Sequence, residues 1–143
     1  MVSPFSENNP YFSCRVKTLI ALSAITLLGF ASKFYHGPAA WWFNDHLGGL
    51  LYEVFWILLI NVVWPESSPF WVVLAVFLVT SALEFLQLWH PPFLQLVRST
   101  FLGRTLIGTS FTWWDFPYYV LGCAAGYIWL RYVGRESGLT KST

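Results

Sequence analysis

Four stretches of roughly twenty apolar residues, bounded by prolines or charges, constrain this chain more than any other feature. A helix needs about 20 residues, within a range of about 17 to 25, to cross about 30 Å of hydrocarbon. The first stretch covers residues 16–35 and is uncharged between Lys17 and Lys33. The second covers 44–64, holds Asp45 and Glu53, and stops at Pro65. The third covers 69–89, carries Glu84 near its end, and stops at Pro91 and Pro92. The fourth covers 112–131, entered through Asp115 and closed by Arg131 and Arg135. Only 10% of residues are charged, against about 25% in a soluble domain, and 20% are aromatic, which suits interfacial belts. The expectation is an all-α membrane protein: a single transmembrane domain, 1–143, built as a four-helix bundle.

A secretory signal peptide competes for the first stretch, because Arg15 and Lys17 precede it and Gly29-Phe30-Ala31 has the form of a cleavage site. The apolar run continues to Tyr35 and is followed by Trp41-Trp42, which favours an uncleaved span meeting an aromatic belt. Residues 91–108 are too apolar for a plain loop. Leu94, Val97, Phe101 and Leu102 recur at helical spacing, with Arg98 and Arg104 as a polar side and Gly103 and Gly108 as candidate breaks. A short interfacial or re-entrant helix between the third and fourth spans is expected. With both termini inside, Arg15, Lys17, Arg131, Arg135 and Lys141 are cytoplasmic, against Lys33, Arg98 and Arg104 outside. Trp41-Trp42 with Asp45, and Trp113-Trp114 with Asp115, echo one another before two spans, a match too short to establish a repeat.

A net charge of +1 offers no surplus to hold nucleic acid. Cys14 and Cys123 fall at different depths, which argues against a disulfide or a metal site and makes each an apolar filler. No cofactor motif is present, and neither Gly-x-Ser-x-Gly, a phosphate loop nor His-Glu-x-x-His occurs, so whether the protein is an enzyme stays open.

Ionisable groups in spans are costly and face the bundle interior. Asp45, His46, Glu84, Gln87, His90, Arg98, Arg104 and Asp115 all fall at the outer end, where arginine forks can bridge carboxylates. Glu84 and Gln87, three apart, share a helix face. Asp115, Tyr119, Gly122 and Gly126 form one stripe, whose glycines allow another helix to approach closely. Glu53 lies about 12 Å below Asp45. Desolvation there favours the neutral acid, either as a proton carrier or hydrogen-bonded to Ser, Thr or Asn61 of another helix. His36 and His46 lie near the interface, where hydrogen bonding is commoner than metal ligation, and His90 is placed to cap the third span.

The pattern Glu84-x-x-Gln87, Arg98, and Asp115-x-x-x-Tyr119-x-x-Gly122-x-x-x-Gly126 resembles the VanZ-like bacterial membrane proteins, which have Asn where Tyr119 stands. Asp45 and His46 resemble the Asp and His that open an earlier span in that family. More specifically, Phe34-Tyr35-x-Gly37-Pro38, the run from Trp42 to Glu53 and the run from Leu83 to Tyr119 resemble a small uncharacterised membrane family, a domain of unknown function, often labelled ribosomal maturation YjgA. The near-neutral charge gives that label no support. The VanZ-like resemblance implies a multi-pass protein of the bacterial plasma membrane linked to glycopeptide resistance, with an outward site for an envelope lipid, a lipid-linked precursor or an amphiphilic drug.

The leading expectation is an outward polar pocket of Asp45, His46, Glu84, Gln87, Arg98, Arg104, Asp115 and Tyr119 that binds, and moves or modifies, an amphiphile. The alternative is an accessory subunit that docks its aromatic and glycine-rich faces on a membrane-protein partner or a second copy of itself. A third is a proton-coupled transporter using Glu53.

Overall fold

A computed structural model describes residues 10–136 and 138. Lys141 and most of both polar ends lie outside the described residues. Regular structure among these residues is entirely helical. Helix α1 runs Pro10–Lys33. The short α2, Ala40–Trp42, leads through a π-helical turn, Phe43–Leu47, into α3, Gly48–Val63. Helix α4 is Pro69–Leu86 and opens on a proline, whose missing N–H costs nothing in the first turn. Helices α5, Pro92–Ser99, and α6, Phe101–Ile107, precede α7, Asp115–Glu136. Asp115 at the start of α7 and Arg135 at its end both suit the helix dipole.

Three helical segments are long and apolar enough to cross a membrane: Tyr11–Lys33, Ala40–Val63 and Pro69–Leu86. Helix α7 is as long, but Asp115, Arg131, Arg135, Glu136 and its glycines leave it less apolar, and it is not among the three. The four-span expectation is met for three spans, and α7 is an additional helix of the bundle. The expected interfacial segment is two helices. The break falls at Thr100, whose hydroxyl accepts the Gly103 N–H and so caps α6, a role for which threonine is suited. Gly108, at a φ of 78°, ends α6. Gly103 is no break: it sits inside α6 against the Val97 carbonyl.

Helix α3 is the centre, packed most extensively against α7 and α1, with α4 against α7 and, less closely, α3. The buried apolar cluster is small: Ile57, Val72, Val76, Cys123 and Leu130. Glu53, Asn61, Thr80, Glu84, Gln87 and Arg98 are also buried, while Ile20, Leu27, Leu78, Val79, Leu121 and Ile128 are exposed. This inversion is what a hydrocarbon solvent selects, because apolar surface costs nothing there and polar groups need internal partners. On α1 the hydroxyls of Ser23 and Thr26 bond the Leu19 and Leu22 carbonyls, so both stay satisfied at an apolar surface.

Polar ties join most helix pairs. The Thr18 hydroxyl of α1 donates to Asn61 Oδ1 of α3 at 3.2 Å, and the Cys14 thiol approaches the same oxygen at 3.7 Å. Lys17 pairs with Glu136 and holds that carboxyl below the usual carboxylate range. Arg15 and Lys17 therefore share an end with Arg131 and Arg135, opposite Lys33, whose ammonium bonds the Asn44 carbonyl in the π-turn.

Helices α3 and α7 approach one another closely. A Cβ on Gly122 would lie 2.6 Å from the Leu50 carbonyl oxygen and 2.7 Å from Glu53 Cβ, and one on Gly126 would lie 2.6 Å from Ile57 Cδ1. Gly122→Leu is expected to lower the unfolding midpoint in detergent, by the equivalent of at least about 1–3 kcal/mol for overpacking. Ala124→Leu, on the exposed face of the same helix, leaves the midpoint unchanged.

Candidate functional site

The end of the bundle opposite the Lys17–Glu136 pair holds two polar clusters, and they differ in how much bonding capacity each has left. The first centres on Glu84, 1% exposed near the end of α4. Gln87 Nε2 and the Tyr119 hydroxyl donate to its Oε2 at 2.7 and 2.8 Å, and the Thr112 N–H donates to its Oε1 at 2.9 Å. One carboxyl group thus ties α4, α7 and the connection into α7. Tyr119, standing where the VanZ-like pattern has Asn, reaches Glu84 directly.

Arg98 does not bridge carboxylates. It is buried, and its Nη1 and Nη2 donate to the carbonyls of Trp89 (3.0 Å) and Leu86 (2.9 Å). Leu86 is the last residue of α4, whose final carbonyls have no partner within the helix. Arg98 therefore caps α4 and clamps α5 onto it, with Leu94 one turn earlier on the same buried face. Val97, Phe101 and Leu102, expected to share the apolar stripe with Leu94, are exposed. Arg104 is also exposed, so the two arginines do not act together. His90 Nδ1 contacts the Leu88 carbonyl at 3.1 Å, in keeping with its expected capping place.

The second cluster lies where the π-turn meets the start of α7. His46 Nδ1 is 3.8 Å from Asp115 Oδ1, and both side chains are about four-fifths buried, at 17% and 21% exposed. The His46 ring stacks on Tyr118 at 4.7 Å, 14° from parallel, and Trp42 Nε1 donates to the Tyr118 hydroxyl at 2.9 Å. His46 Nδ1 itself has no hydrogen-bond partner. Asp45 is exposed, although it and Glu84 both lie within electrostatic reach of Asp115. Trp41, Trp113 and Trp114 are exposed around this end. A π-turn inserts extra residues into a helix and is frequent at functional sites. Here it presents His46, and not its neighbour Asp45, to α7.

Glu53 lies apart from both clusters, fully buried, and its Oε2 accepts the Cys123 thiol at 3.3 Å. Asn61, an expected partner, is bonded to α1 instead. Cys123, read from sequence as a filler, and Tyr118 and Trp42 are contributors that sequence reasoning missed. Tyr118 lies three residues after Asp115, and that helical spacing is the signal that was available. Gly122 and Gly126 pack against α3 as their spacing implies. No group of His, Cys, Asp and Glu among the described residues is suited to hold a metal ion.

The fold is an all-helical one with three helices suited to a membrane. Residues 38–123 match the model of the protein family of unknown function DUF2809, and the chain belongs to that family. The match fits the expected small family and is not to the VanZ-like proteins specifically. No curated protein and no solved structure matches the chain.

Arg98→Met is expected to leave the Trp89 carbonyl unpaired and the Leu86 carbonyl with the Trp89 N–H alone, at a cost of about 1–3 kcal/mol where the unpaired group stays buried. Hydrogen exchange reads this as faster exchange across α5 and α6 than across α3.

Proposed function

We propose that this protein binds the polar head of an amphiphile, an envelope lipid or lipid-linked precursor, at the outer end of its bundle. The observation that carries the reading is the His46–Asp115 pair, whose imidazole nitrogen has no hydrogen-bond partner. Glu84 has its bonds filled by the protein, and Arg98 spends both Nη groups on the Trp89 and Leu86 carbonyls and keeps only a buried Nε unpartnered, so the two position the site, while His46, Asp115 and the exposed Asp45 retain capacity for a ligand. Arg104, the exposed cation of α6, supplies a charge for an anionic head group. The exposed tryptophans suit the depth at which a lipid head group lies.

In this reading α7 is the fourth crossing, the protein is a multi-pass component of the bacterial plasma membrane, and both termini are cytoplasmic. Four of the five cations assigned to the inside lie in the described residues at the shared ends of α1 and α7, which supports that orientation. Kinship with the VanZ-like proteins is part of the same proposal, supported by the joint placement of Glu84, Gln87, Arg98 and Asp115 at one end. The accessory-subunit alternative relied on aromatic and glycine-rich docking faces; Gly122 and Gly126 are taken up by α3, while the aromatic faces stay exposed.

Native mass spectrometry of the protein released from lipid nanodiscs tests the proposal. The wild type is expected to carry a bound lipid or lipid-linked precursor that Asp115→Asn and His46→Ala lose and Ala124→Leu keeps. Equal retention by all four proteins, or a stoichiometric protein partner in place of the lipid, would overturn it.

A further inference from the structure

The bundle buries a titratable group that the outer site does not use. Glu53 is wholly enclosed on α3, beneath the point where Gly122 meets its Cβ. The Cys123 thiol of α7 donates to Oε2. The Thr80 hydroxyl of α4 adjoins the carboxyl and bonds the carbonyls of Val76 and Phe77, at 3.0 and 3.1 Å. Oε1 has no hydrogen-bond partner. Among the described residues Glu53 takes part in no ion pair, and the titratable groups it acts on, Cys123 and Tyr119 on α7 and Tyr52 on its own helix, include no cation. An anion placed here would have an oxygen without a donor and a charge without a counter-ion, an arrangement that buried sites avoid.

We propose that Glu53 is a proton-binding site, with the proton on Oε1 and the Cys123 thiol donating to Oε2. The ligand is the proton, and the site stands independently of any amphiphile at the outer end.

Infrared spectroscopy of the protein in nanodiscs at neutral pH tests this. The wild type is expected to show a neutral-carboxyl C=O band that Glu53→Gln removes. Cys123→Ala shifts the band upward, because its donor to Oε2 is gone, and this variant serves if Glu53→Gln does not fold. A wild-type spectrum without the Glu53-dependent band, or a band unmoved by Cys123→Ala, would overturn the proton site.

Discussion

The close approach of α7 to α3 is the contact on which the rest of this structure depends. The two helices run in parallel register, with Asp115 beside His46, Tyr119 beside Gly49, Gly122 over Leu50 and Glu53, and Gly126 over Ile57. Steps of three and four residues on both helices keep these pairs on one seam. Glycine at two of the four α7 positions removes the side chains that would hold the backbones apart, and dispersion contacts then accumulate along the seam. Everything functional hangs from that alignment. It carries Tyr119 to Glu84, encloses Glu53 beside Cys123, and sets Asp115 opposite the imidazole of the π-turn.

The second organising fact is where polarity sits. A soluble bundle hides leucine and shows glutamate, whereas this one buries Glu53, Glu84, Gln87 and Arg98 and shows Leu78, Leu121 and Ile128. Most of the buried polar groups reach another element: a carboxyl is answered by a tyrosine hydroxyl, an arginine by helix-end carbonyls, an asparagine by a threonine. Such ties are worth more in specificity than in energy, because hydrogen bonds between membrane helices contribute only about 0.6 kcal/mol on average. They fix which helix meets which, while the glycine seam fixes how near.

Much of this was legible in the sequence, and the reasons for the failures are physical. The α7 stripe follows from helical spacing, and so does the Glu84–Gln87 contact, found at 2.7 Å. Prolines marked the start of α4 and the loops around it. The target of Arg98 was not legible, because backbone carbonyls at a helix end have no residue-specific signature, and a sequence shows only the carboxylates. The pairing of Glu53 with Cys123 was missed for a related reason. Thiols are counted as fillers, and only the α3–α7 register makes this one a donor. The π-turn has no marker in composition, so the choice of His46 over Asp45 as the partner of Asp115 required the structure.

The claim that the exposed apolar faces meet hydrocarbon, α7 included, is tested most directly by spin labels placed singly at Leu78 on α4 and Ile128 on α7 in nanodiscs. Collision with oxygen, which concentrates in hydrocarbon, is compared with collision with a water-soluble nickel complex. The account predicts oxygen-dominated relaxation at both positions and nickel-dominated relaxation at Glu66 in the turn before α4. Nickel-dominated relaxation at Ile128 would contradict the fourth crossing, and the same result at Leu78 would contradict the membrane bundle itself.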